Sequence, residues 1–375
     1  MSTTATGIRT FPMYCIIMLA LGLMNHVIVI PPLLQSAKRD AWISVIAVLI
    51  PYLIWIVILR YIMKQTDQKP ILEWVRQQRF GRAISGGLRV ILIGYLFMIG
   101  VVTVKETINW THGSYLPRTP DLILSITLML LCFCAAWAGM RAIAIVSGIL
   151  LPFVILFGDF VMSANLPRKS YILLTPMLEH GLKPVLEGCL YVGGGLAELF
   201  VLLLVQHHLK SKMRLWSLSL LGIFLVILII GPVMGAIAEF GPYEAADLRY
   251  PAYEEWRLVR LGRYIQHVDF LSIYQWLSGA FARISISLLL MTELAAGGPN
   301  GKQGTIWLIS FSMLFVILVA LPVSDIQFFS FLKLVYLPAS LYTATGMLVV
   351  LFVMALIHAK RTRGKKHGGV RQNEA

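Results

Sequence analysis

Apolar runs of about twenty residues, each long enough to cross a bilayer, recur from one end of this 375-residue chain to the other. They predict helices near 11–36, 41–63, 84–110, 121–138, 140–163, 183–206, 215–240, 271–292, 305–322 and 333–358. The pattern is that of an all-α polytopic membrane protein with about ten transmembrane helices and both termini cytoplasmic. A single transmembrane domain is expected over residues 1–358, followed by a basic cytoplasmic tail at 359–375. The first run does not read as a cleavable leader: Arg9 alone precedes it, it continues to about Leu34, and no A-x-A-like site follows. The break between the fourth and fifth runs rests on the short GMR sequence around Arg141.

Composition agrees with the pattern. The chain is 58% hydrophobic and 13% charged, where a soluble domain carries roughly 25% charged residues. The net charge of +14 raises nucleic acid as a partner, but its distribution argues for topology. Lys64, Lys69, Arg76, Arg79, Arg82, Lys210, Lys212, Arg214 and the tail fall on one side if the spans alternate, the positive-inside pattern. The tail is also suited to anionic membrane lipid. Cys15, Cys132, Cys134 and Cys189 all lie in apolar segments and read as small buried residues. No metal is expected: the C-x-C pair lacks a second ligand pair, and His207 and His208 read as a solvated cytoplasmic end.

The two halves repeat one irregularity. Span one contains LGLMNHVIVIPP, in which Gly22, Asn25 and His26 interrupt an apolar run; span six contains LYVGGGLAE, with Gly193, Gly194 and Gly195 at its middle. Glycine costs about 1 kcal/mol relative to Ala inside a helix, so the triplet reads either as local unwinding or as close packing through small residues. Gly-interrupted helices at matching places in two halves point to a transporter's midplane site. Unwinding there would free backbone N–H and C=O groups for a small zwitterion. Of the ionisable residues inside spans, each a functional candidate because its burial is costly, Glu106 can face the interior with Ile99 and Val102. Glu198 either lines the same cavity or pairs with Arg283. Lys105 and Asp159 read as residues at wetted span ends.

Residues 241–270 break the apolar pattern with nine charged residues among Tyr, Trp and Pro. From Glu254 onward, Leu258, Leu261, Ile265, Val268 and Leu271 recur at helical spacing. Arg257, Arg260 and Arg263 share the other side. An amphipathic helix lying over the extracytoplasmic face is expected, apolar side down, as a lid that offers its arginines to a partner. Pro242 and Pro251 are expected to break the approach to it.

No H-E-x-x-H, P-loop, G-x-S-x-G or G-x-G-x-x-G motif is present, so neither an enzyme nor a cofactor is expected. The pieces RYPAYEEWRLV and HVDFLSIYQWLSGAF resemble the spore germination permease family. The likeness continues through DAWIS at 40–44 and the LPR–LTPMLEHGLKP region before span six. The resemblance implies a ten-helix fold of the amino-acid/polyamine/organocation superfamily, with five-plus-five inverted repeats at about 11–163 and 183–358 and broken helices one and six. It implies a germinant receptor B subunit of the inner spore membrane that acts with A and C subunits and binds a small nutrient, an amino acid in this reading. By analogy with the fold, the ligand would sit between spans one, three, six and eight, where Gly22, Asn25, Val102, Gly194 and Ser287 fall. The alternative is a working proton-coupled amino-acid transporter.

Overall fold

The computed structural model describes residues 7–78, 81–260 and 267–372, with side chains as far as Thr362. Helix accounts for 85% of it, and the β pairing among the described residues is one isolated bridge between Ile8 and Leu209. Nine helical stretches among the described residues are long and apolar enough to cross a membrane. The first, Thr10–Gln65, has 56 residues, about 84 Å at 1.5 Å per residue, or more than twice the apolar thickness of a bilayer. It turns at Lys38, where φ is 47°, and so is long enough for two crossings.

Span one consists of α1 (Thr10–Leu23), a π-helical segment (Met24–Ile28) and α2 (Ile30–Ala37), and α3 (Ala41–Gln65) follows. A short helix, α4 (Ile71–Arg76), precedes α5 (Gly81–Ser114), α6 (Asp121–Ala138) and α7 (Met140–Asn165). The break between the last two falls where GMR predicts it. Gly139 adopts φ 89°, a conformation open to glycine and strained for other residues. Next come α8 (Leu182–Leu196), a 3-10 turn (Ala197–Phe200), α9 (Val201–Val205) and α10 (Leu215–Phe240). On the face where span one ends, called the outer face below, lie α11 (Pro242–Asp247) and α12 (Pro251–Leu258). The chain then returns through α13 (Leu271–Ala296), α14 (Lys302–Val319), α15 (Asp325–Phe331), a second π segment (Leu332–Tyr336) and α16 (Leu337–Gln372). The last span starts at Asp325 rather than near residue 333 because Ser324 and Gln327 form a capping box, which satisfies two otherwise orphaned donors.

Burial follows polarity. α13 packs against α1, α5, α6, α7 and α14, and every side chain from Ser278 to Thr292 is buried. Span six is buried without interruption from Tyr191 to Gln206. These two spans carry Arg283 and Glu198, which cannot face lipid cheaply, whereas α6, α7 and α14 expose many of their apolar side chains, as lipid-facing helices do. On the outer face, two of the resembling segments meet. Asp40 of DAWIS accepts the Leu178 N–H at 2.7 Å, and Arg39 pairs with Glu179 at 2.7 Å. That bond holds the Glu179 carboxyl below its ordinary range.

Candidate functional site

Arg283, at the middle of α13, gathers the irregular helices of the bundle. Its Nη1 donates to Glu198 Oε2, and its Nη2 donates to Glu198 Oε1 at 2.7 Å and to the Tyr336 hydroxyl at 2.8 Å. Its Nε donates to Thr103 at 2.6 Å, and the Met24 sulfur lies 3.4 Å from Nη2. Tyr336 closes the arrangement by donating to Glu198 Oε1 at 2.8 Å. Met24 opens the first π segment, Tyr336 ends the second, and Glu198 lies in the 3-10 turn. Such interruptions deliver side chains that a regular helix would place elsewhere, and π segments are frequent at functional sites. Glu198 makes the ion pair with Arg283 that one of its two readings expects. Sequence reasoning missed Met24, Thr103 and Tyr336, none of which stands out within an apolar run.

Beside this network lies Asn25, fully buried, with neither amide atom hydrogen-bonded. Buried polar atoms are nearly always paired, so this amide is a candidate contact for a ligand. Its Oδ1 lies against Gly195, as does Val29. The glycine run is not unwound. Gly193, Gly194 and Gly195 all lie inside α8, and the departure from α-helix comes at Ala197–Phe200 instead. The reason is packing. A Cβ on Gly194 would collide with the Leu337 carbonyl, one on Gly193 would come within 3.2 Å of Leu341, and one on Gly195 would strike Asn25. The triplet lets three spans approach closely, the other reading the sequence allowed. In span one the interruption comes after Gly22, which remains in α1. His26 turns toward α10, its Nδ1 3.2 Å from the Leu228 carbonyl. Val102 is buried, and the Ser287 hydroxyl is spent on the Arg283 carbonyl of its own helix at 2.8 Å.

Toward the outer face, Glu106 accepts from Arg249 Nη2 at 2.7 Å, while its Oε1 is buried without a partner. Arg249, in the link between α11 and α12, also bonds Asp325 at 3.0 Å and lies over the Tyr250 ring at 4.5 Å. Beneath it Trp110 and Trp276 stack with centroids 4.0 Å apart, and Tyr253 meets Trp110 edge-on at 5.7 Å. This explains why the segment carries so many aromatics. A cleft of about 550 Å³ lies just outside, lined in part by Asn109, Asp325 and Tyr250.

The expected amphipathic helix is not formed as one piece. Pro251 starts α12 and Pro242 starts α11, each in the first turn, where proline's missing N–H is harmless. α12 stops at Leu258 because Val259 is extended. Arg257 is exposed and pairs with Glu254 at 2.8 Å, the spacing expected, and Arg260 is exposed. Arg263, Leu261 and Ile265 lie outside the described residues. What anchors α12 is Trp256, with Val268 and Leu271 of the predicted apolar stripe packed in the same cluster. Trp256 packs with Val161, Val259 and Val268, and its indole N–H donates to Gln275 at 2.9 Å. Glu255 lies 3.7 Å from a buried lysine, Lys169, that also holds Glu239 at 3.2 Å. Burial, together with the Glu239 carboxylate, pushes the Glu255 carboxyl up to about 8 against the pull of Lys169.

At the opposite end of the bundle His208 and His207 converge on Glu293 at 3.0 and 3.6 Å, so they are not the simple solvated pair expected. These three are the group among the described residues whose donor atoms lie close enough together to hold a metal.

The profile of a family described as spore germination protein matches residues 7–320. Spore germination protein XB of Bacillus anthracis is 42% identical over 346 residues, covering 91% of this chain and 96% of that one. Putative spore germination protein YfkT of Bacillus subtilis (strain 168) is 27% identical over 73% of this chain and 74% of its own. Spore germination protein GerQB of Bacillus cereus is 26% identical over 41% and 42%. A bundle of membrane-spanning helices with a buried polar centre, matched over nearly its whole length, thus belongs to the spore germination permease family.

Proposed function

We propose that this integral membrane protein is a germinant receptor subunit that binds a small nutrient beside Asn25 and relays its occupancy to partner subunits. The observation that carries the reading is the unpaired Asn25 amide next to the Glu198–Arg283 network, where the two π segments and the 3-10 turn meet. A zwitterionic amino acid fits this chemistry, since the amide offers a donor and an acceptor while the carboxylate and guanidinium can exchange partners. Ligand that re-bonds Arg283 or Tyr336 would bias spans one, six and ten together, as a relay requires. On this reading the chain is a five-plus-five inverted repeat within the spore inner membrane, with A- and C-type subunits as partners, as the resemblance implies. The outer cover and its exposed Arg257 and Arg260 would face them.

The second reading, a proton-coupled transporter, is favoured by one observation: the buried, partnerless Oε1 of Glu106 beside a separable arginine. Proteoliposomes of the chain alone decide between the two. Saturable binding of a labelled amino acid without flux supports the receptor, counter-flow supports the transporter, and neither binding nor flux across the amino acids would reject the site.

A further inference from the structure

At the cytoplasmic ends of spans one and five the chain builds a cleft of about 460 Å³ that the nutrient site does not use. Three cations line it, Arg9, Arg141 and Lys210, and no acidic residue does. All three are exposed, and none has an ion-pair partner among the described residues. The backbone fixes their proximity. Ile8 N–H donates to the His208 carbonyl at 2.7 Å, and Lys210 N–H donates to the Ile8 carbonyl at 2.9 Å, so Arg9 and Lys210 are held alongside each other. Gly7 makes room for the lysine stem: a Cβ there would lie 2.8 Å from Lys210 Cγ. Arg141 comes from the other wall, as the second residue of α7, which packs on α1.

Two helices, α1 and α7, therefore begin at this cleft, and each helix start adds partial positive charge and unpaired N–H groups. Like charges from three chain segments, gathered without a counter-charge among the described residues, favour an anion between them. The walls identify the anion's source. Phe11 and Ile145 are 73% and 55% exposed on helix ends that lie at the membrane boundary, where acyl chains pass. The side is cytoplasmic by the distribution of basic residues, and that leaflet presents anionic headgroups to basic pockets between helices.

We propose that this cleft is a headgroup site for one anionic phospholipid, its phosphate held by Arg9, Arg141 and Lys210 and its chains lying along Phe11 and Ile145. The site is independent of the nutrient reading. The test is the stabilising shift in Tm of the purified full chain in neutral detergent as phosphatidylglycerol, phosphatidylcholine or glycerol 3-phosphate is titrated. Phosphatidylglycerol should stabilise at far lower concentration than phosphatidylcholine. The triple variant R9Q/R141Q/K210Q should weaken that effect by about fivefold per cation lost, on the order of a hundredfold in all. A control triple variant elsewhere on the same face, K64Q/R76Q/R214Q, should leave it intact. R141Q alone, at an exposed position, gives the fivefold step should the triple variant be poorly made. Equal weakening in the control, an unaltered response in R141Q, or full stabilisation by glycerol 3-phosphate alone would each overturn the proposal.

Discussion

A guanidinium shared among a carboxylate, a phenol, a threonine and a thioether has nowhere to place its charge when the carboxylate is removed. Breaking a buried pair from one side costs about 3–5 kcal/mol, whereas replacing both partners with apolar groups is often nearly neutral. Glu198→Ala or Arg283→Ala should therefore give little folded protein, and Glu198→Leu with Arg283→Met should recover much of the yield and Tm in detergent. A double variant no better than the worse single one would show that the pair is not what holds the centre. Asn25 should behave in the opposite way, because its amide bonds nothing in the protein. Asn25→Ala is expected to keep or raise Tm while nutrient affinity falls at least tenfold, the worth of a hydrogen bond to a charged group. A large drop in Tm would make the amide structural. At this scale the sequence was half legible: Glu198 and Arg283 stood out as charges in apolar runs, but a tyrosine or methionine in such a run reads as packing, and only the fold shows which ones turn inward.

Helices were easier to read than their defects. The runs that predict the spans recur as helices, with ends shifted by a few residues except in the last span, because burial in lipid demands about the same length of apolar sequence each time. The first π segment falls where Asn25 and His26 interrupt the apolar run, but the second left no signature in LKLVY, a stretch that reads as ordinary helix. The glycine triplet misled for a related reason: helix propensity favours unwinding, but in a bundle the same lack of a side chain permits the approach of Leu337 and Leu341. α12 was misjudged because its apolar spacing continues past the point where Val259 turns the chain. Its docking carries a pH dependence. A carboxyl ordinarily near 4.5 but held at about 8 in the folded protein keeps its proton as pH rises while the unfolded chain releases it. Stability from this contact is complete below about pH 4.5, falls as pH rises toward 8 and then levels off. Tm should therefore be higher at pH 6 than at pH 9, and Glu255→Gln, which mimics the protonated form, should flatten the difference. An unchanged slope in that variant would place the titration elsewhere.

Taken as one body, the molecule is closed on its outer side by a segment whose arginine reaches inward to Glu106 and whose aromatics lie on Trp110 and Trp276. Arg249 can act as the pin of this cover, because it joins the link between α11 and α12 to both span three and span ten. With the native cysteines replaced by serine and a single cysteine placed at buried Thr107, Arg249→Ala should speed labelling by a membrane-impermeant thiol reagent several-fold. Unchanged labelling would mean that the stacked rings, not the arginine, keep the cover shut.

The π segment in span one has a consequence for angular phase. Each residue of an α-helix turns about 100°, and a π turn absorbs one residue more than the regular ladder provides. Met24–Ile28 therefore offsets α2 from α1 by about that angle. Regularising the ladder there with every residue kept would swing Val29 and the rest of α2 about 100° away from Gly195, although no side chain had been altered, whereas deleting one residue would leave α2 in phase. The extra residue is also able to slide along the helix one peptide at a time, rotating whatever lies between its old and new positions. Span one is thus built as two dials on a common axle, with Asn25 at the joint between them.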